Sequence, residues 1–597
     1  MTTRISDYVV SKLIDAGVDH FFILVGGNVM YLDDAIRKSG IPYTAFHHEQ
    51  SATMAAEAYA RLHGKLVCVV VTSGPGATNV ITGVAGAFYD STPMIIICGN
   101  SKSTDLRNEH MPQGVRQVGT FELPIHEVCE PISKFSKMIT SISEVDEFLD
   151  EAIYKATSNR PGPVVINFPL DLQGAEVELH ELALARKDYS SIKTIGKDYK
   201  GFFDELKLAL NTSSSPAILV GHGVRVSGSS DNLLELIKKL NIPIFTTQLA
   251  KDFIPYEEPL FIGHVGVRGD RPGNVGLHKA DLIICVGTSL HQQNIGYEPD
   301  LFAPQALKFI VEFEGSVSGK NLPIRATFLD IDMRSFVSEL EIQIGNYKNF
   351  NNKWLKYLEV LKSNYTISKE PHDLSTERIN MYEFVDILSS ELNGGETIIT
   401  DAGLCFYIMG QAFKLKQGQR YIVSGGLGSM GYALPAAIGA GVNSKSMVIA
   451  VTGDGSMQMN VQELATLRLL NKPIKVFVIN NAGYASLRNT QKSFFGEDLI
   501  GASDSSGLAM PNWKLIAESY GIRYVSIKNL LSMKDALPEI LASPEVQMIE
   551  VFCQTDQVVM PGVGNYKDIN GRLRSNSLSD MTPKLNEETI RPSLVIN

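Results

Sequence analysis

The segment from residue 447 to residue 481 begins with MVIAVTGDGS (447–456) and ends with VFVINN (476–481). Two continuous apolar runs, separated by a run of helical character, predict a βαβ unit with both strands buried. Asp454 and Asn481 follow the two strands, at the carboxyl edge where open α/β sheets bind ligands. Their oxygens are hard ligands suited to Mg²⁺ or Ca²⁺, and the glycines let a diphosphate approach the backbone. We therefore predict a metal and diphosphate site here; the plainer alternative is a β-turn followed by a polar loop.

The same alternation of apolar strands and helices recurs along the whole chain. Continuous apolar strands indicate parallel sheets that helices cover on both faces. We expect an α/β fold with three doubly wound parallel-sheet domains and a C-terminal arm. The predicted ranges are 1–178, 196–362 and 377–556 for the domains and 557–597 for the arm, with polar connectors near 176–200 and 364–376. We expect the arm to be ordered, because it contains apolar residues at 558–561 and 594–596; the alternative is a disordered end.

Composition limits the class of function. The chain has 597 residues, more than one hydrophobic core supports, and a net charge of −11, which gives no reason to expect nucleic acid or an anionic membrane as a partner. We see no signal peptide and no apolar run approaching the ~18 residues of a membrane helix. Six cysteines are scattered without a CxxC pair, mostly in strand-like runs. This pattern predicts buried free thiols in a cytoplasmic protein.

Four landmarks carry a resemblance to a known family: HEQSA (48–52), TSGPGATN (72–79), GGLGSMG (425–431) and the Asp454/Asn481 unit. The chain resembles, over nearly its full length, the thiamine diphosphate (ThDP) enzymes of the acetohydroxyacid synthase, pyruvate oxidase and pyruvate decarboxylase type. In that family the first domain binds the aminopyrimidine and the third binds the diphosphate, and the two come from different subunits. The resemblance implies a homo-oligomer, dimer or tetramer, with active sites at the subunit interface.

The resemblance also implies ThDP and Mg²⁺ as cofactors and assigns site residues. The Asp454 and Asn481 side chains and the Gly483 carbonyl would bind the metal. Glu49 would be the catalytic group on the aminopyrimidine nitrogen, and Met430 would bend the cofactor between its two rings. The alternatives are helix capping by Glu49 and core packing by Met430. The other expected cofactor contacts are Gly74, Pro75, Asn79, Gly403, Leu404, Gly428, Ser429, Gly453, Gly455, Ser456, Tyr484 and Ala485.

Substrate contacts are expected on loops at the same edges of the two sheets. Asn28 follows a Gly-Gly pair at a strand end, and His110 and Gln117 lie in a loop of the first domain. Arg488 follows the metal loop and would bind a carboxylate or phosphate. For each loop histidine, the alternative is a solvated or helix-capping side chain.

Two differences from the acetohydroxyacid synthase pattern bear on the type of ThDP enzyme that the chain resembles. Acetohydroxyacid synthases carry a Trp where this chain has Thr490, and an Arg of their FAD signature is missing after Val286-Gly287. FAD is therefore doubtful. We predict an acetolactate synthase-like carboligase that decarboxylates pyruvate or a related 2-oxo acid and transfers the acyl anion to a carbonyl acceptor. That acceptor is pyruvate, another 2-oxo acid, an aldehyde or a keto sugar. The alternatives are a simple decarboxylase, a C–C hydrolase, a flavin-dependent oxidase and a non-catalytic ThDP-fold subunit.

Overall fold

The computed structural model describes residues 2–107, 110–178, 199–348, 351–374 and 377–584. Within these ranges the chain forms three six-stranded parallel sheets flanked by helices, which confirms the predicted α/β fold. Most of the first predicted connector and the apolar residues 594–596 lie outside the described residues. No helix among the residues described is long and apolar enough to cross a membrane.

The N-terminal domain is built on a sheet whose strands are followed by helices. Its strands are β1 (Thr2–Arg4), β2 (Phe21–Leu24), β3 (Tyr43–Ala45), β4 (Val67–Val71), β5 (Met94–Asn100), β6 (Phe135–Met138), β7 (Pro163–Pro169) and β8 (Glu176–Glu178), and its helices are α1 (Ile5–Asp15), α2 (Met30–Ser39), α3 (Glu49–His63), α4 (Pro75–Asn79), α5 (Ile81–Tyr89), α6 (Ile125–Cys129), α7 (Val145–Thr157) and α8 (Leu170–Gly174). The parallel order is β3-β2-β4-β5-β7-β6, and β1 pairs antiparallel with β8. Strands β4 and β5 are buried throughout, because helices cover both faces of the sheet.

The middle domain repeats this architecture. Its strands are β9 (Pro216–Val220), β10 (Ile244–Thr246), β11 (Phe261–His264), β12 (Leu282–Val286), β13 (Leu307–Glu312) and β14 (Thr327–Asp330), and its helices are α9 (Lys200–Thr212), α10 (Gly223–Val226), α11 (Ser230–Leu240), α12 (Arg271–Lys279), α13 (Gln292–Ile295), α14 (Met333–Ile344) and α15 (Asn352–Asn364). The parallel order is β11-β10-β9-β12-β13-β14.

The third domain holds the segment quoted first. Its strands are β15 (Thr397–Thr400), β16 (Arg420–Ile422), β17 (Val448–Gly453), β18 (Ile474–Asn480), β19 (Arg523–Ile527) and β20 (Gln547–Phe552), and its helices are α16 (Met381–Glu391), α17 (Leu404–Ala412), α18 (Ala433–Gly441), α19 (Asp454–Met457), α20 (Leu464–Leu470), α21 (Ala485–Phe495), α22 (Trp513–Ser519) and α23 (Leu530–Ala542). The parallel order is β16-β15-β17-β18-β20-β19. The expected single helix between β17 and β18 is instead broken into α19, a 3₁₀ segment and α20, with non-helical dihedrals at Asn460.

The first and third domains share a continuous apolar core through α3 and α18. The two helices approach so closely that a Cβ on Gly439 would lie 1.9 Å from the Ala55 carbonyl oxygen. Only glycine fits this crossing, because any side chain there would have to push the two backbones apart. The packing fixes how the two candidate halves of the site are oriented within one chain.

The described part of the arm packs on the middle domain. It forms four short strands, β21 (Gly562–Val563), β22 (Asn565–Lys567), β23 (Leu573–Ser575) and β24 (Met581–Thr582), which pair as two antiparallel ribbons. Leu578, 1% exposed, completes an apolar core of the middle domain. The Arg271 guanidinium, which forms a buried ion pair with Glu370, donates from Nη2 to the Pro583 carbonyl at 3.0 Å. The arm therefore joins the middle domain to the end of the third.

Candidate functional site

The carboxyl ends of β17 and β18 bring Asp454 beside the loop that contains Asn481. Gly453 pairs with Ile479 in the parallel register, so residues after the two strands meet at one edge. The Asp454 carboxylate is buried and accepts hydrogen bonds from the backbone N–H groups of Gly455 (2.8 Å) and Gly483 (2.9 Å). Burial raises its pKa to about 6, and these N–H donors partly oppose the shift.

The loop after β18 has an unusual backbone conformation. Ala482 and Gly483 both have positive φ, 61° and 106°. Arg488, 4% exposed, stabilises this loop by hydrogen bonds to backbone carbonyls. Its Nη1 donates to the carbonyls of Ala482 (2.8 Å) and Ala502 (3.0 Å), and its Nη2 donates to those of Asn481 (2.6 Å) and Thr555 (2.7 Å). The terminal N–H groups of this guanidinium are therefore engaged by backbone carbonyls, which favours support of the loop over the predicted contact with a substrate anion.

The donor set fits Mg²⁺. It offers one carboxylate, the Asn481 amide and the Gly483 carbonyl, which accepts the Ala485 N–H at 3.0 Å and keeps a second lone pair. Among the residues described, no group of three or more His, Cys, Asp or Glu side chains could hold a metal alone. A site with few protein oxygens suits a magnesium ion that takes its remaining ligands from phosphate and water.

Turns between strands and helices lie around Asp454. Gly453 precedes the short helix α19, and Ser456 lies buried within it. The Tyr484 ring packs on Gly455, where a Cβ would lie 2.2 Å from the ring carbon Cε1. Gly403, with φ +72°, precedes α17 and Leu404 begins it. These backbone positions lie at strand-to-helix turns, the type of site that favours phosphate groups.

Glu49 begins helix α3 in the N-terminal domain and is 7% exposed. Its Oε2 accepts a hydrogen bond from Asn79 Nδ2 at 2.9 Å, which joins the predicted Gly74–Asn79 segment to the catalytic candidate. The side-chain cap of α3 is His48, whose Nδ1 accepts the Gln50 N–H at 3.1 Å. The capping alternative for Glu49 thus loses its main support, because another residue supplies the cap.

Direct bonds connect the start of α3 to the segment after α19 within one chain. The His47 N–H donates to Glu463 Oε1 at 3.2 Å, and Ser51 Oγ donates to Asn460 Oδ1 at 3.0 Å. Asn460 and Glu463 are not among the predicted site residues, because a polar residue in a helical run normally indicates a solvated face. Their burial, 1% and 0% exposed, becomes apparent only from the packing of the two domains.

The predicted substrate residues lie in different surroundings. Asn28 is half-buried and its Nδ2 donates to Ser73 Oγ at 2.5 Å. His110 and Gln117 are exposed on the loop after β5, and Gln117 Nε2 donates to the Glu122 carbonyl at 3.1 Å. Their contact with a substrate stays a prediction.

Comparison with known proteins covers all three domains. Models of the thiamine pyrophosphate enzymes match residues 3–120 (N-terminal TPP binding domain), 203–340 (central domain) and 401–551 (C-terminal TPP binding domain). The chain is 32% identical to the acetolactate synthase large subunit of Lactococcus lactis subsp. lactis, over 93% of each protein. It is 30% identical to a probable acetolactate synthase large subunit of Methanocaldococcus jannaschii, over 92% of this chain and 91% of that protein. The chloroplastic acetolactate synthase of Arabidopsis thaliana is 28% identical, over 95% of this chain and 85% of that protein.

Proposed function

The chain belongs to the thiamine pyrophosphate (ThDP) enzyme family as an acetolactate synthase-like member, and from this premise we propose that it is a Mg²⁺-dependent carboligase. Its donor would be pyruvate or a related 2-oxo acid, and its acceptor a second carbonyl compound. The observation that carries the proposal is the 2.9 Å hydrogen bond from the Gly483 backbone N–H to the Asp454 carboxylate. It supports a magnesium–diphosphate anchor at the edge of the third domain's sheet.

Each residue of the site has a separate task. The Asp454 and Asn481 side chains and the Gly483 carbonyl would hold Mg²⁺, while the turns at Gly453 and Gly403 would bind the diphosphate. ThDP, when bound, would supply a carbanion as nucleophile for the donor carbonyl and an electron sink for decarboxylation. Glu49 would hold a proton at the aminopyrimidine edge, and Asn79 orients its carboxylate by the 2.9 Å bond.

The assignment of the two cofactor-binding sites to different domains supports a homo-oligomer. The family resemblance implies that the first domain binds the aminopyrimidine and the third binds the diphosphate, and that the two halves of one active site come from different subunits. We propose a dimer or tetramer with active sites at the interface. Exposed apolar side chains of the third domain near the site, such as Leu427 (38%) and Leu487 (48%), would then be covered by the partner.

The acceptor would be selected next to the metal loop. Thr490 is exposed and its Oγ1 donates to the carbonyl of Ser486 at 3.0 Å, so its side chain turns back onto its own helix. A Trp at this position would cover more of the space above α21. We infer that the acceptor is larger than a second pyruvate, or that it binds in a different orientation from a second pyruvate. Product analysis with labelled pyruvate, with and without aldehyde and keto-sugar acceptors, separates ligation from release of free aldehyde or from C–C hydrolysis.

The catalytic test is Glu49→Gln. The variant should bind ThDP and Mg²⁺ with the wild-type dissociation constant by calorimetry and lose decarboxylation, because the amide cannot hold the proton. Glu151→Gln, in helix α7, is the control and should retain full activity. Wild-type turnover in Glu49→Gln with ThDP bound would refute the mechanism. Failure of the wild-type protein to bind ThDP would instead support a non-catalytic subunit, and bound yellow flavin would support an oxidase.

A further inference from the structure

The loop that contains Met430 is held at its start by a carboxylate of the N-terminal domain. Asp90, 2% exposed, accepts the backbone N–H of Gly425 on Oδ2 at 3.0 Å and that of Gly426 on Oδ1 at 2.8 Å. A Cβ on Gly426 would lie 2.5 Å from Tyr89 Cβ, so the loop rests directly on the end of α5. The backbone of the third domain is thus bound by a side chain of the first.

Asp90 is fixed by a buried charged network. Arg61 Nη1 lies 3.3 Å from Asp90 Oδ2 and 3.2 Å from Glu57 Oε1, and it donates to the Val423 carbonyl at 2.7 Å. Burial raises the pKa of the Asp90 carboxyl, opposed by the Arg61 charge and by the two glycine N–H groups. Arg61 therefore binds both the carboxylate and the backbone that leads from β16 into the loop.

A second carboxylate holds the end of the same loop. Asp401, 1% exposed, accepts the N–H groups of Gly431 (3.0 Å) and Ala433 (3.1 Å), together with Thr452 Oγ1 (3.0 Å) and the Ala402 N–H (2.8 Å). Accepting all of these bonds with no donor of its own is the pattern of an ionised carboxylate. Asn460 Nδ2 adds a bond to the Gly431 carbonyl at 2.7 Å.

Residues 427–430 make no bond to Asp90 or Asp401. Leu427 and Gly428 are exposed and Met430 is half-buried, while Gly425 and Gly426 before them are bound to Asp90 and Gly431 after them is bound to Asp401. Gly431 has φ +77°, a conformation that favours glycine and fixes the direction in which the chain leaves the loop.

We propose that Asp90 and Asp401 are positioning residues that hold Met430 in place before the cofactor binds. The inference rests on the proposed role of Met430 as the side chain between the two cofactor rings. A loop already ordered in the free protein binds its ligand without the entropic cost of ordering, so the two carboxylates contribute to ThDP affinity and geometry without touching the cofactor.

The test is Asp90→Asn in the full-length protein. The Nδ2 group of Asn cannot accept the Gly425 N–H, so one hydrogen bond to a charged group is lost and a donor faces a donor. We expect the ThDP dissociation constant at saturating Mg²⁺ to rise about tenfold. We also expect a lower kcat with little change in the donor KM, and an altered near-ultraviolet circular dichroism signal of the bound cofactor.

The matched control is Asp146→Asn. Asp146 is also a buried carboxylate of the N-terminal domain, but its partners are Lys12 and Tyr8 and not the Met430 loop. If Asp90→Asn binds ThDP and shows the dichroism signal as Asp146→Asn does, the inference is wrong while the proposed function stands. If the wild-type protein itself fails to bind ThDP with Mg²⁺, the proposed function fails first.

A measurement on the wild-type protein needs no substitution. In the cofactor-free protein, hydrogen exchange at the amides of Gly425, Gly426, Gly431 and Ala433 should be slow, because each is bonded to a buried carboxylate. The amides of Leu427 and Gly428 should exchange faster. Uniformly fast exchange across residues 424–433 would overturn the inference, since it would show that the loop is ordered only by the cofactor.

Discussion

Replacing Arg488 by Met distinguishes support of the metal loop from substrate binding. Methionine fills much of the space of the arginine stem but leaves the carbonyls of Asn481, Ala482, Ala502 and Thr555 without their donors. Two of these bonds, at 2.6 and 2.8 Å, hold the metal loop itself. At about 1 kcal/mol for each bond, the ordered loop loses about 2 kcal/mol, which corresponds to about 30-fold weaker binding of Mg²⁺ and ThDP.

Calorimetric titration of ThDP at fixed Mg²⁺, and of Mg²⁺ at fixed ThDP, measures this loss. Lys492→Met is the control, because Lys492 lies one turn later on α21 and its ammonium group forms surface ion pairs with Glu497 and Asp556. The control should bind both ligands as the wild type does. If Arg488→Met binds Mg²⁺ and ThDP normally but has a raised KM for the donor, the loop-support argument is wrong and the guanidinium reads the substrate carboxylate.

Two further predictions concern stability. Burial lowers the pKa of His20 to about 4, with Asp19 opposing the shift, so the folded state binds fewer protons than the unfolded state between about pH 6.5 and 4. Stability should therefore be lost as the pH falls through that window, by at most about 3 kcal/mol, and denaturant titrations of His20→Phe should show a flatter pH dependence; equal slopes in both proteins would contradict this. Leu578→Ala should cost about 2–5 kcal/mol of middle-domain stability and expose the arm to proteases, because it leaves a cavity in a core where the side chain is 1% exposed; an unchanged urea midpoint and digestion pattern would contradict it.

The sheets were predictable because buried parallel strands read as continuous apolar runs. Val67–Val71 and Leu282–Val286 are examples in which every residue is buried. Parallel pairing then predicted that Asp454 and the Asn481 loop lie together, since a βαβ connection brings the carboxyl ends of both strands to the same edge of the sheet. Local sequence is sufficient for such features, because the interactions that determine them lie within about thirty residues.

Features held by distant partners could not be predicted in this way. The expected long helix after Ser456 breaks at Asn460, whose side chain bonds to Ser51 and to the Gly431 carbonyl. In the sequence, Asp90 is an ordinary polar residue that follows a helix. Its hydrogen bonds from the Gly425 and Gly426 amides come from another domain and are visible only in the fold. The position of Arg488 after the metal loop predicts a contact with a carboxylate or phosphate, and only the fold shows that its guanidinium donates to backbone carbonyls. In each case tertiary hydrogen bonds outweigh local preference.

The contact of Leu578 with the middle domain has a consequence for the order of events during synthesis. The core that it completes is otherwise built from residues up to Tyr365, apart from one partly buried residue of the arm, so the ribosome makes these much earlier than the arm. At about 5–20 residues per second, the middle domain waits roughly 10–40 s with an apolar surface uncovered. Until the last strands emerge, that surface is open to chaperones or to a neighbouring nascent chain. We therefore expect chains stalled before residue 578 to be bound by chaperones through the middle domain.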